Sequence, residues 1–146
     1  MHILIAPDSF KENLTAYQVC NSIEKGINKV FPKANIEKIP MSDGGEGAIR
    51  LFEINKLGKI IHCPSLDPIL RPIDSSYMIF NDNLTAWIEL SKASGLDLLQ
   101  NSEKNPLITS TYGTGLLIKD AINRGCNKII LGIGGSATND GGSGIL

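Results

Sequence analysis

Residues 2–6 read HILIA, a continuous apolar run closed by Pro7, and this short run decides the fold. It does not alternate, so the strand it predicts is buried on both faces, as in a parallel sheet covered by helices. A helix should follow. Thr15 and Gln18 have the spacing of a capping box, and Val19, Ile23, Ile27 and Val30 recur at steps of four and three before Pro32 stops the pattern. Residues 35–39 form a second short strand ended at Pro40. A second helical stretch covers 48–55, with Ile49 and Phe52 toward the core, and closes near Gly58; residues 59–63 supply a third strand. The order β-α-β-α-β implies a parallel α/β sheet with right-handed crossovers.

Residues 1–64 are therefore expected to form a Rossmann- or flavodoxin-like parallel-sheet lobe. The rhythm then changes. Pro64, Pro68 and Pro72 bracket SLDPILRP, which is poor material for regular structure, and a domain boundary is placed at 64–72. Beyond it, residues 76–80 and 85–90 are strand-like and flank Asn81-Asp82-Asn83, an antiparallel hairpin signal. Residues 95–105 carry no clear pattern. Residues 114–124 are helical, with Leu117, Ile118, Ala121 and Ile122 on one side and Gly125 just past the end. Residues 128–133 (KIILGI) are another buried-type strand. Residues 65–146 thus read as part of a second, mixed α/β lobe with a hairpin and a glycine-rich loop.

The 146 residues carry 14 Lys and Arg against 15 Asp and Glu, a net charge of −1, with 42% hydrophobic and 20% charged residues. This is ordinary globular composition. It lacks the basic footprint of a nucleic-acid binder and any polybasic membrane patch, so neither partner is expected. The opening apolar run is too short for a signal-peptide core, and no apolar run approaches the roughly 20 residues of a membrane span. Cys20, Cys63 and Cys126 are odd in number and far apart, which argues for buried thiols in a reducing, cytoplasmic setting rather than for disulfides. Only His2 and His62 accompany them, so no zinc spacing exists. The oligomeric state stays open, a homo-oligomer included.

Three loops sit where open α/β sheets bind ligands, outside the carboxyl ends of strands. Pro7-Asp8-Ser9-Phe10-Lys11 places an acid and a cation either side of a hydroxyl; Asp8 could hold a metal or accept a proton while Lys11 counters phosphate charge. Ser42-Asp43-Gly44-Gly45-Glu46-Gly47 joins strand to helix, where Gly44 and Gly45 let amides approach an anion. Asp43 there is a base, a magnesium ligand or simply an N-cap. The third loop, GIGGSATNDGGSG at 132–144, follows a buried strand and points toward a helix expected beyond Gly144. Nine of the fifteen glycines lie between position 113 and the end. Six of them, with Ser136, Thr138 and Ser143, suit a backbone nest around phosphates better than a core. No Gly-Lys-Ser/Thr follows, so it is not a Walker loop; Gly132, Gly134 and Ala137 fit the looser dinucleotide fingerprint, which keeps a nicotinamide-dependent oxidoreductase as the alternative. A fourth cluster, Thr109–Gly115, offers four aliphatic hydroxyls at a helix start, Thr114 among them.

Taken in order, APDSFKENLTA (6–16), PMSDGGEG (40–47), IELSKASGL (88–96), NPLITSTYGTG (105–115) and ILGIGGSATNDGGSG (130–144) resemble the successive signature segments of the bacterial type-1 glycerate kinases. The resemblance spans the whole chain, while members of that family are much longer, with two α/β domains of which one interrupts the other. It implies the N-terminal portion of an enzyme that uses ATP and Mg2+ to phosphorylate D-glycerate, on the 2-hydroxyl. An inactive truncated product is the third reading. In this light Asp8, Lys11 and Asp43 are the expected catalytic residues. Ser9, Gly44, Gly45, Thr114, Gly134, Gly135, Ser136, Thr138, Gly141 and Gly142 are expected to line substrate or phosphate, and Asp140 to hold the metal.

Overall fold

The computed structural model describes residues 1–10, 13–45 and 47–146. These divide into two compact units, Met1–Asp43 and Gly44–Leu146. In the first, β1 (His2–Ile5) pairs in parallel with β2 (Asn35–Lys38), His2 opposite Asn35 and Ile5 opposite Lys38. The crossover between them is α1 (Ala16–Val30), which starts at the expected capping box: Thr15 takes the Gln18 amide and the Gln18 side chain takes the Thr15 amide. Ala16, Val19 and Cys20 on α1 are buried with Ile5, and Cys20 Sγ lies 3.9 Å from the Ile5 carbonyl. Ile23 and Val30, on the same heptad-like pattern, are exposed.

The second unit holds α2 (Ala48–Ile54), β3 (Gly58–Leu66), β4 (Pro72–Phe80), β5 (Thr85–Glu89), the single turn α3 (Ser91–Ser94), α4 (Tyr112–Asn123) and β6 (Lys128–Gly132). Four strands form one sheet in the order β3-β4-β5-β6, the first two junctions antiparallel and β5-β6 parallel. The fold is mixed α/β, one parallel pair and one mixed sheet.

Two expectations need correction here. The strand at 59–63 does not extend the parallel sheet of the first lobe; it runs on to Leu66 and pairs antiparallel with β4, Gly58 opposite Phe80 and Leu66 opposite Pro72. The proline-bracketed segment is also more regular than its composition suggests, because Pro64 and Pro72 lie where a missing N–H is tolerated. Pro64 lies in the edge strand β3 and Pro72 is the first residue of β4. The turn between them is organised by Asp67, which is 2% exposed and accepts from the amides of Ile69 and Arg71 and from the Arg71 guanidinium.

The core of this unit is Cys63, Tyr77, Ile79, Ala86, Ile88, Ala93, Leu117, Ala121 and Cys126. Each wholly buried aliphatic side chain of this kind contributes about 2 kcal/mol. Leu117 and Ala121 are the buried stripe of α4, and Ile118 packs against it, but Ile122 is 56% exposed. The Tyr77 phenol is buried and donates to Asp120 Oδ2 at 2.8 Å; burial first and that hydrogen bond second push its ionisation well up. The α4 helix ends as expected on Gly125, whose φ of 93° favours glycine. The unpatterned stretch 95–105 contains two 3-10 turns, Leu96–Leu98 and Asn101–Glu103. All three cysteines are free and buried.

Candidate functional site

In the first unit the parallel pairing of β1 and β2 continues past the strands. The Ile39 amide donates to the Ile5 carbonyl and the Met41 amide to Pro7. The loops at the carboxyl ends of both strands are thereby carried side by side, where ligands are bound in open sheets. Asp8 and Asp43 meet there: the Asp43 amide donates to Asp8 Oδ2 at 3.2 Å, while Asp8 Oδ1 accepts the Ser9 amide at 2.6 Å. Both acids are exposed and Ser9 is half-buried. Lys11 lies outside the described residues.

The second unit builds its loops around the carboxyl ends of β5 and β6. Leu90 N–H donates to the Gly132 carbonyl, Leu96 N–H to Gly135, and Ala137 N–H to Ser94, with Gly95 and Ser136 forming an antiparallel bridge. The segment 89–96 is thus a rail along which the glycine-rich loop is laid. Ser136 and Thr138 share their hydroxyls at 2.9 Å, and Thr109 Oγ1 donates to the Ala137 carbonyl. This geometry corrects the dinucleotide fingerprint, which needs strand, tight turn and helix in direct succession. After β6 the chain bridges to residue 95 instead, and among the described residues only a 3-10 turn, Ser143–Ile145, follows.

Asp140 ties this loop to α4. Its Oδ2 accepts from the Thr111 amide and hydroxyl, both at 2.8 Å, and from the Gly144 amide at 3.3 Å; its Oδ1 accepts the Gly142 amide. Burial alone would raise its pKa, but the bonds from Thr111, Gly142 and Gly144 outweigh that and hold it below the usual carboxylate range. Thr111 is the N-cap of α4 but caps nothing with its own side chain; the Asp140 carboxylate holds the Thr111 amide and hydroxyl from across the loop, while Ser110 Oγ takes the Tyr112 amide. The approach is so close that a Cβ on Gly144 would lie 2.4 Å from Ser110 Oγ and 2.6 Å from the Tyr112 amide. Gly142 turns the chain at a φ of 80°. Thr114, expected in the substrate shell, is instead fully buried with its hydroxyl 2.8 Å from Ser94 Oγ. It supports the loop from beneath, because its place in the first turn of α4 points it at α3.

The residue that sequence reasoning passed over is Glu89. It is the last residue of β5 and 0% exposed, and its Oε1 accepts the Ile49 amide at 2.7 Å. Burial pushes its pKa up, while the amides of Ile49, Gly47 and Ala48 and the charge of Lys92 pull the other way. The first turn of α2, read from sequence as a seat for phosphate, therefore already holds a carboxyl group of the chain's own. An acid closing an otherwise apolar strand, TAWIE, was the available signal. Close by, Gly132 lies against Gly44, whose carbonyl would be 2.0 Å from a Cβ at 132. Gly45 is buried and Gly44 half-buried; Gly134 is half-buried, and Gly135 and Gly141 are exposed with positive φ.

No helix among the described residues is long and apolar enough to cross a membrane. The glycerate kinase family model matches residues 3–146. The chain is 49% identical over 146 residues to a glycerate kinase of Haemophilus influenzae and 44% identical to a glycerate 2-kinase of Escherichia coli, covering all of itself but 39% and 38% of those proteins. A Salmonella typhimurium crystal structure assigned as glycerate kinase 2 superimposes with a TM-score of 0.73 at 42% identity, over 99% of this chain and 39% of that one. The chain spans about two fifths of the length of the relatives it matches, and over nearly all of its own length it belongs to the glycerate kinase family.

Proposed function

We propose that this chain supplies the N-terminal part of an ATP-dependent glycerate kinase acting on D-glycerate in the cytoplasm and yielding 2-phosphoglycerate. The observation that carries the reading is the 3.2 Å hydrogen bond from the Asp43 backbone amide to Asp8 Oδ2, which ties together the two loops, each bearing an acid, at the carboxyl ends of β1 and β2. Phosphoryl transfer asks a protein mainly for positioning and charge stabilisation. The glycerate 2-hydroxyl oxygen attacks the γ-phosphorus, the bond to the ADP oxygen breaks, and the hydroxyl proton passes to one acid of the pair. Lys11 balances phosphate or glycerate carboxylate charge, and Ser9 lines the same loop.

Magnesium takes one or two protein carboxylates and completes its shell with water and substrate phosphates. Asp8 and Asp43 offer hard oxygen donors of that kind, although no group of three His, Cys, Asp or Glu side chains forms among the described residues. The ion would neutralise charge on the transferred phosphoryl group. Asp140, with four hydrogen bonds already made, serves in this reading to hold Gly134, Gly135, Ser136, Thr138, Gly141 and Gly142 as the amide and hydroxyl cradle, with Gly44 and Gly45 contributing from the α2 side. Membership of a kinase family removes the support for the nicotinamide alternative.

The test is ADP release from MgATP by this chain, with and without D-glycerate, and direct coupling to enolase, which consumes 2- but not 3-phosphoglycerate. Dependence on D-glycerate, loss with chelator, and loss in Asp43→Asn and Lys11→Met are expected. Unchanged turnover in both variants would remove the residue assignment, and no turnover beside an active full-length relative would leave this chain an inactive portion.

A further inference from the structure

We propose that Glu89 is a positioning residue that places Gly47 by clamping the first turn of α2 to the end of β5. Three observations converge. The side chain is wholly buried and reaches the Ile49 amide at 2.7 Å from 40 positions away. The α2 helix has no cap of its own, since its N-cap is Gly47, at a φ of 88°. The Gly44 carbonyl lies against Gly132, which leaves no room there for a Cβ. Gly44 and the first turn of α2 thus each lie against the terminal residue of one of the two parallel strands, Gly132 of β6 and Glu89 of β5.

Glu89 Oε2 is buried with no hydrogen-bond partner among the described residues. A buried carboxylate oxygen left in that state is costly, and a well-packed apolar residue would avoid the cost. What a leucine could not do is accept the α2 amides. Reach and acceptor geometry, rather than net charge, are therefore what the position supplies. The sole tryptophan reports on the clamp, because Trp87 packs edge-on against Phe52 of α2 at 5.0 Å, two residues before Glu89.

Amide hydrogen exchange on the whole chain tests the geometry, and its catalytic consequence rests on the glycerate kinase reading. Glu89→Gln keeps an oxygen at the same reach, so the Gly47, Ala48 and Ile49 amides should exchange within about threefold of the parent. Glu89→Asp keeps the carboxyl group but withdraws it by one methylene, and Glu89→Leu has no acceptor; both should speed those amides roughly tenfold or more. The Leu96 and Ala137 amides, held by backbone carbonyls, should not move, and Trp87 emission should shift only in the Asp and Leu variants. Should the Leu variant not fold, the Asp and Gln pair decides alone. Protection that survives in Asp and fails in Gln, or a uniform rise through residues 133–137, overturns the proposal. With D-glycerate and MgATP, kcat should fall about tenfold in Glu89→Asp with KM little changed, and recover in Glu89→Gln. An unchanged kcat in Glu89→Asp overturns the positioning role, whereas absence of turnover in the parent counts against the function proposed above and leaves exchange to decide the clamp.

Discussion

The α1 and α4 helices begin in opposite ways. The α1 N-terminus is capped by its own neighbours, Thr15 and Gln18, three residues apart and both neutral. The α4 N-terminus is capped by Asp140, 29 positions away and ionised, which reaches back over the glycine-rich loop. The α2 helix follows the second pattern through Glu89. The difference is one of purpose. A local cap stabilises a helix and nothing else, while a remote carboxylate stabilises the helix and fixes the loop that carries it. Both helices with remote caps stand beside candidate ligand loops.

Removing the remote cap should cost the most. Asp140→Ala deletes four hydrogen bonds to a charged acceptor, two of them to Thr111, and is expected to lower stability by about 3 kcal/mol in urea unfolding. Protease sensitivity should appear in residues 138–144. A loss below about 1 kcal/mol would mean that the loop holds itself. Gly132→Ala should come next, at about 2 kcal/mol, because its Cβ would meet the Gly44 carbonyl and the strand or the loop must shift. Thr15→Ala should cost about 1 kcal/mol, seen as faster exchange in the first turn of α1 with the α4 amides unaffected.

The smallest effect separates the two kinds of cap by pH. Asp140 has its pKa lowered in the folded state, so its contribution is complete above the ordinary carboxylate value of about 4 and is lost as pH falls through the lower folded value. The stability gap between parent and Asp140→Asn should therefore narrow on acidification. The gap between parent and Thr15→Ala should stay constant over the same range, since neither Thr15 nor Gln18 titrates. A Thr15→Ala gap that also narrows would break the distinction.

Local chemistry was legible wherever it closed within a few residues. HILIA predicted the position of β1, the Thr15–Gln18 spacing the start of α1, and Gly125 the end of α4, each because the deciding atoms are neighbours in the chain; burial of β1 on both faces is not found, since Ile5 is 4% exposed but Leu4 59%. The Asn81-Asp82-Asn83 hairpin also reads correctly: Asp82 accepts from the Leu84 and Thr85 amides and the Thr85 hydroxyl. The errors fall where the partner is distant. The strand at 59–63 was grouped with the strands before it, since an apolar run does not state which edge it will join. Pro64 and Pro72 looked disruptive because an edge position and a first-residue position are known only once the sheet exists.

The candidate site divides the same way. Asp8, Asp43 and the glycines are nameable as candidates from their place after strands, whereas the burial of Thr114 against Ser94 and the reach of Glu89 to α2 depend on contacts no local pattern shows. The sequence by itself determined the alternation of short strands and helices, the loops rich in glycine and acid, and the family those loops mark. Only the tertiary structure decided which strands share a sheet and which carboxylates serve as caps. A hydrogen bond across 29 or 40 residues depends on where two backbones meet, and no local propensity encodes that meeting.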